Sequence, residues 1–454
     1  MTTVYEPLSN TTTDVPLPPL APGAPLLGHA LEMYSNPILH MRDLYYKLGP
    51  IYRVRVPGRE FTIMAGIEAN QMLSGTGDMY FRSAGEFDEF EQEMQASHFL
   101  INMDGEEHKR MRRLLRPGYS RRLYVQKTEE AVAITRRHVQ GWKEGALLGV
   151  LDACQRIITE QIGALLIGHA PGDYFDDLRL FMNTVLRTLV TKTWPRVMLY
   201  RPAYRRAKAR IWELARQVTD EVRHLPPEER PRGLLRDLLQ HYESGGDLVS
   251  DEDDLLAAVV GPYLAGLDTV AGTMAFAIFA FLKHGVWQTL SEESDALFAE
   301  GPLTASSLRN APLLHAALME SIRMYSVASF TPRVVAQSFV FRGYRVDAGT
   351  RVLIANGLTH YLPEFFPEPD RFDLTRHLPP RKEYRQAGAF TPFSLGPHTC
   401  LGAGTGEAQL MVTLATILHS VELALEPPDY QVKQALTPIP SPGFGFKVRV
   451  VRKR

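Results

Sequence analysis

One long apolar run, residues 255–282, carries only Asp268, Thr269 and Thr273 as strongly polar side chains, which predicts a helix buried on nearly every face. Ser250, with Asp253 three residues on, gives it a capping-box-like start, and Asp251 and Glu252 suit the positive end of its dipole. The run could reach across a bilayer, but a mid-helix carboxylate and Pro262 make an isolated span costly, so a core helix is expected. Pro262 should kink that helix or mark its true start. Nearer the N-terminus, alternation over 51–56, a Pro57-Gly58 turn and a return at 61–64 predict a hairpin. Ahead of it, Pro16, Pro18, Pro19, Pro22 and Pro25 keep 15–28 extended, as an arm lying on the body. From about Asp104 the periodicity is mostly helical, with an interhelical loop at Pro226 and Pro227. It lapses over 326–397, where short β-like runs such as 351–354 alternate with proline-rich loops. A last helix at 402–422 then precedes a terminal strand at 446–451. The pattern is mainly α with small β-sheets.

Composition narrows the function classes. At ~150 residues per domain, 454 residues would allow three domains, yet no linker or repeat divides the chain. The expectation is an arm, 1–28, and a single domain, 29–454. Fifty basic residues balance fifty-one acidic ones, and a net charge of −1 excludes the broad cationic field of a non-specific nucleic-acid binder. Residues 1–14 are polar, with neither the basic start nor the apolar run of a signal peptide or anchor, so a cytoplasmic protein without a transmembrane anchor is expected. Two cysteines, Cys154 and Cys400, exclude a disulfide framework and a cysteine-rich metal cluster but leave room for one thiolate site. Cys154 falls in an apolar helical pattern and reads as core.

Two segments carry candidate chemistry. In Ala265-Gly266-Leu267-Asp268-Thr269 a buried carboxylate is costly unless paired or hydrated, while the hydroxyl can bond the carbonyl one turn back. Either this is a satisfied structural pair, or Ala265 and Gly266 open space beside an acid and an alcohol that pass protons to something bound there. The segment alone leaves both open. In the second, Phe393-Ser394-Leu395-Gly396-Pro397-His398-Thr399-Cys400-Leu401-Gly402, a Gly-Pro turn sets Cys400 just ahead of an apolar helix, where amides and the helix dipole favour a thiolate. Lone cysteines are more often inert core, but the flanking phenylalanine, glycines and histidine shift that balance.

The second segment resembles the haem-ligand loop of the cytochrome P-450 enzymes, F-x-x-G-x-[HR]-x-C-x-G, with Phe393, Gly396, His398, Cys400 and Gly402 at its fixed positions. Further motifs follow the same family. Ala265, Gly266, Asp268 and Thr269 match [AG]-G-x-[DE]-T, Glu320 and Arg323 match E-x-x-R, and Arg371 stands in a P-x-R-F type segment. The resemblance implies the cytochrome P-450 fold, a helix-rich triangular prism with a minor β region. It implies haem b (iron protoporphyrin IX) with Cys400 as proximal iron ligand, its electron donation favouring O–O cleavage, and Phe393 near the sulfur. Asp268 and Thr269 become the proton-delivery pair for O₂ activation. His108 and Arg112 match an H-x-x-x-R helix, and with Arg333 and His398 they are the expected partners of the haem propionates. Glu320 and Arg323 are expected to form a buried ion network with Arg371.

The implied activity is a haem-thiolate monooxygenase that uses O₂ to hydroxylate or epoxidise a lipophilic small molecule. The acid–alcohol pair argues against a peroxide-using peroxygenase or an isomerase of the same fold. It also argues against a non-catalytic haem sensor or carrier. A cysteine hydrolase is disfavoured because His398, two residues from Cys400 in a turn, gives no assured nucleophile–base geometry. Seven basic residues over 109–122, with Arg381, Lys382 and Arg385, suggest docking of a separate acidic electron-transfer protein such as a ferredoxin or flavodoxin with its reductase. A second basic stretch, 187–210, could face a membrane surface or a substrate carboxylate, though a solvated interhelical region is the plainer reading. By the same resemblance, the acidic segment 86–93 and the turn at 438–441 are expected to line a substrate pocket.

Overall fold

The structure is a computed structural model and describes residues 5–7, 14–436 and 438–454; most of the polar leader lies outside the described residues. The chain divides into two compact units.

The first unit comprises Met1–Asp88, Ile101–Lys109 and Ala328–Cys400. Its main sheet runs in the order Ile51–Val56, Arg59–Ala65, Arg351–Ala355, Thr331–Val335, Phe81–Arg82. The expected hairpin is its first pair, antiparallel with Ile51 opposite Met64, and Gly58 at φ 75° takes the left-handed position of the turn. Strand Arg59–Ala65 then pairs in parallel with Arg351–Ala355. Alternation sends successive side chains to opposite faces. Ile51 and Met64 join a core with Phe81, Val352 and Ile354, while Tyr52, Val54 and Ile63 pack with Met41 and Leu44 of the helix Pro37–Leu48. The proline arm lies along the edge strand, with Arg53 N donating to Pro19 O and Ala21 N to Arg53 O, both at 2.8 Å, but it is not extended to 28: residues 25–27 turn back, closed by a bridge between Ala24 and Gly28. A smaller sheet orders Tyr5–Pro7, Phe339–Phe341, Tyr344–Val346.

The second unit, Glu89–Leu100, Arg110–Val327 and Leu401–Arg454, is mostly helical. At its centre the helix Glu252–Lys283 packs on Val150–Ile162, Pro202–Arg223 and Pro312–Met324. Among the described residues it is the one helix long and apolar enough to cross a membrane, and 78% of its most apolar window is buried in the fold. Its cap is Asp251, whose carboxylate accepts from Asp254 N at 2.8 Å, rather than the expected box of Ser250 and Asp253. Pro262 does not mark the start, because the helix begins at Glu252 and runs through it. The Ala403–Ser420 helix packs on Thr128–Gln140, and a sheet of Val421–Leu425, Lys447–Lys453 and Leu147–Gly149 closes the unit. Cys154 is buried core on Val150–Ile162, where burial pushes its thiol well up.

Candidate functional site

In the first unit, the loop that ends at Cys400 is shaped by backbone geometry only particular residues allow. Gly396 sits at φ 71°, and a Cβ there would lie 2.4 Å from the Leu73 carbonyl oxygen, so any side chain would strain the turn and collide with backbone. Ser394 takes φ 60° without being glycine, and its hydroxyl lies 3.1 Å from Thr331 Oγ1, which itself donates to Asn356 Oδ1 at 2.9 Å. Thr399 returns both its N–H and its hydroxyl to the Gly396 carbonyl. Cys400 N donates to the Phe393 carbonyl at 2.9 Å, closing a ring that presents an exposed sulfur free of any disulfide. Phe393 is thus a backbone partner of the cysteine as well as its neighbour. Gly402 then caps the Ala403–Ser420 helix.

Three of the four expected propionate partners lie in this unit. The rings of His108 and His398 stack with centroids 4.0 Å apart, and His398 Nε2 lies 3.1 Å from Asp104 Oδ1. Asp104 also accepts from Ser83 N and Ala84 N. Burial alone would raise the Asp104 carboxyl, but His398 and these amides hold it below the usual carboxylate range. Arg333 is 6% exposed; it donates to the Pro332 carbonyl at 2.7 Å and makes no ion pair among the described residues. Burial pulls its guanidinium down to about 10, against the more distant pull of Asp104 and Glu86. A desolvated cation without a counter-ion is costly, and a carboxylate-bearing ligand would relieve it. The residues present therefore fit haem: an exposed cysteine for the iron, and a buried arginine with paired histidines for the propionates. Arg112, the fourth, lies one turn beyond His108 on the Gly105–Leu115 helix and is half-buried.

In the second unit, the helix Glu252–Lys283 is open along one strip. Ala265 is exposed and Asp268 and Thr269 are half-buried, while Leu264, Gly266 and Leu267 are buried. The Thr269 hydroxyl donates to the Ala265 carbonyl at 2.6 Å, the local bond that satisfies an alcohol in a helix. Asp268 accepts at Oδ1 from Gln155 Nε2 at 2.7 Å. Burial lifts the Asp268 carboxyl to about 6, with Gln155 and the charges of Arg179 and Arg187 opposing. An acid poised near neutrality is the kind that can both take and give a proton at physiological pH. The space expected beside Gly266 is absent: a Cβ there would come 2.1 Å from Ile162 Cδ1, so this glycine brings two helices together, and the opening belongs to Ala265. The turn at 438–441 does approach this helix, with the Pro440 carbonyl against Gly272.

Other expectations need correction. Glu320 and Arg323 form the predicted buried pair, 2.8 Å apart and both 0% exposed. Arg371, however, is 67% exposed and pairs with Glu368 on a surface turn, a position unsuited to a buried network. Five residues on, the buried Arg376 bonds Glu383 and the Glu368 carbonyl instead. The acidic segment 86–93 and the basic stretch 187–210 prove to be partners: Glu89 pairs with Lys192 and Arg196, and Glu93 accepts from Tyr204 and Lys208. Arg381 is likewise held by Asp373 and Glu383. Asp104 and Gln155 escaped the sequence reading. Asp104 stood beside the H-x-x-x-R motif, but Gln155 gave no signal because only helix packing brings it to Asp268.

The chain matches the Cytochrome P450 family over residues 18–446. A Putative cytochrome P450 139 of Mycobacterium tuberculosis is 27% identical over 396 residues, covering 84% of this chain and 90% of its own. Cyclooctat-9-en-7-ol 5-monooxygenase of Streptomyces melanosporofaciens is 28% identical, covering 87% of each. The solved retinoic acid bound cyanobacterial CYP120A1 superposes with a TM-score of 0.83 at 20% identity, over 97% of this chain and 100% of that one. Motif, fold and relatives agree: this chain belongs to the cytochrome P450 family and is a P450 monooxygenase with a haem cofactor.

Proposed function

We propose that this P450 uses O₂ to hydroxylate or epoxidise a mid-sized lipophilic molecule, with haem b as cofactor, residues 29–454 acting as one catalytic domain, and electrons arriving from a separate acidic protein. The observation that carries the O₂-dependent reading is the Asp268 carboxyl, held near neutrality beside Thr269 on the open strip of an otherwise buried helix. A carrier or sensor of gas has no use for such an acid, and a peroxide-driven enzyme needs no proton from it. Relatives named for a cyclooctatenol, abscisic acid and a sterol support a lipophilic substrate. The mostly buried long helix supports a core element and not a membrane span, and a cytoplasmic location is part of this proposal.

Haem, when bound, supplies the redox centre at which O₂ is activated. The chain's own residues do the rest. Cys400 would hold the haem iron through its sulfur, the loop kept in place by the bond from its amide to Phe393 and by the Gly396 turn. Arg333, His108, His398 and Arg112 would bind the propionates, and the pairing would give Arg333 a counter-ion. Thr269 holds a hydroxyl one residue from Asp268, which takes protons from solvent and releases them toward the reacting oxygen. For each substrate oxidised, one oxygen atom enters the substrate and the other leaves as water, consuming two electrons and two protons. The partner is proposed to dock on 109–122.

The test is a reduced carbon-monoxide difference spectrum of the purified protein and of Cys400→Ser. The red-shifted thiolate band should be present in the first and lost in the second. A haem spectrum without that band in the unaltered protein would overturn the assignment.

A further inference from the structure

We infer that Gln155 is a positioning residue for the proton-delivering acid: its side-chain amide fixes the Asp268 carboxyl by one oxygen and sets how firmly that acid holds its proton. The inference rests on the role given to Asp268 above.

Gln155 lies on the helix Val150–Ile162 among Leu151, Cys154, Ile157, Ile158 and Ile162, and is 2% exposed. A position packed this tightly is ordinarily filled by an apolar side chain. Here Nε2 donates to Asp268 Oδ1 at 2.7 Å, and among the described residues this is the only side-chain hydrogen bond that Asp268 makes. The other end of the amide is unprovided for: Oε1 is buried with no partner among the described residues. One turn on, the Thr159 hydroxyl is buried and equally without a partner. Spacing of four places both on one face of the helix. Unsatisfied buried polar atoms are few in folded proteins, and one on the amide that holds Asp268 calls for a role other than stability.

The charged groups facing Asp268 explain why a neutral donor is needed. Arg179 pairs with Asp152 at 2.5 Å and Asp176 at 2.7 Å, and Arg187 lies over the Trp194 ring, yet the charge of each still draws the carboxyl down and opposes its burial. A cation in place of Gln155 would pin Asp268 as an anion, and an apolar residue would leave it protonated through the working range. An amide gives an intermediate hold, which a group that must cycle between the two forms requires.

The experiment uses the full chain and the variants Gln155→Met, Gln155→Glu and Asp268→Asn. The titration of Asp268 is followed by the protonated-carboxyl C=O band in infrared difference spectra, assigned by its loss in Asp268→Asn. Losing a bond to the charged form should raise the midpoint by about 1–2 pH units in Gln155→Met. The pH at which product formation per reductant is half-maximal should move with it. Gln155→Glu, which puts a like charge beside the acid above neutral pH, should raise the midpoint further. In the unaltered protein, the Gln155 side-chain amide resonances should titrate with Asp268 and stop doing so in Asp268→Asn, a readout that does not depend on any Gln155 variant folding. An unmoved midpoint in Gln155→Met with the thiolate band intact, or amide resonances blind to Asp268, would overturn the inference. Unchanged coupling in Asp268→Asn would instead remove the role of Asp268, a separate failure.

Discussion

Replacing Asp268 by asparagine should make the protein more stable while slowing its reaction. The carboxyl is raised from 3.8 to about 6 by burial. Unfolding exposes it to water, where it ionises at its ordinary value, so the folded state is penalised wherever the unfolded chain is ionised. For a raised acid the penalty is absent below the unfolded value, builds as pH rises through the interval between the two, and is complete above the folded one. A difference of about two units corresponds to about 3 kcal/mol above neutrality and about 1 kcal/mol near pH 4.5. Asparagine carries no charge at any pH, and its Oδ1 still accepts from Gln155. At ~2.1 cal/mol/K per residue, 3 kcal/mol should raise Tm by roughly 3 °C near pH 8, with about a third of that gain near pH 4.5. Calorimetry of the two proteins in parallel at several pH values measures this, and O₂ consumption with substrate bound measures the cost. A gain in Tm that is the same at both pH values would refute the reasoning, since it would come from packing rather than from an uncompensated charge.

Further outcomes follow from the same geometry. Thr269→Ala removes the hydroxyl bonded to Ala265 and should divert reductant from product to peroxide, measured as peroxide released per reductant consumed. Arg333→Gln should lower haem affinity by about 10–100-fold, the worth of a charge-assisted bond, yet stabilise the haem-free protein by removing an unpaired buried cation. Titration with haem and thermal melts of the haem-free form separate the two effects. Gly266→Ala forces Ile162 aside and should cost about 1–3 kcal/mol in denaturant unfolding without changing the carbon-monoxide band.

Elements whose signals are local were legible in the chain: the Gly58 hairpin, the proline arm and the buried helix with its acid and alcohol all stand where periodicity put them. The cysteine loop was legible because its geometry is demanding, with a positive φ and a backbone contact at Gly396 that leave glycine alone possible. Errors arose wherever a role depends on distant chain. Gly266 and Ala265 look alike as small residues, and only the presence of Ile162 separates a packing glycine from an open alanine. Arg371 and Arg376 look alike as arginines in one proline-rich stretch, and only the surface turn at Glu368 decides which is buried. Gln155 is an unremarked glutamine until Val150–Ile162 is laid against the helix Glu252–Lys283.

Charge runs misled for the same reason, and correcting them sharpens the docking proposal. Counted along the chain, 187–210 carries as much positive charge as 109–122. In the fold the first is engaged internally: Lys192 and Arg196 with Glu89, Lys208 with Glu93, and Arg210 with Asp177. Three carboxylates thus offset part of its eight basic charges, while Arg201, Arg205 and Arg206 remain exposed and make no ion pair among the described residues. The second is only partly engaged, with Lys109 on Asp78, Arg110 on Asp247 and Arg121 on Glu407. Arg116 and Arg122 are exposed and make no ion pair among the described residues. Steering depends on the uncancelled charge within a Debye length of ~8–10 Å, not on the count of basic residues. On the proposed docking at 109–122, an acidic electron donor should meet the face that holds Arg116 and Arg122, and removing those two charges should slow association far more than removing Lys192 and Arg196, or than removing the equally uncancelled Arg201 and Arg205.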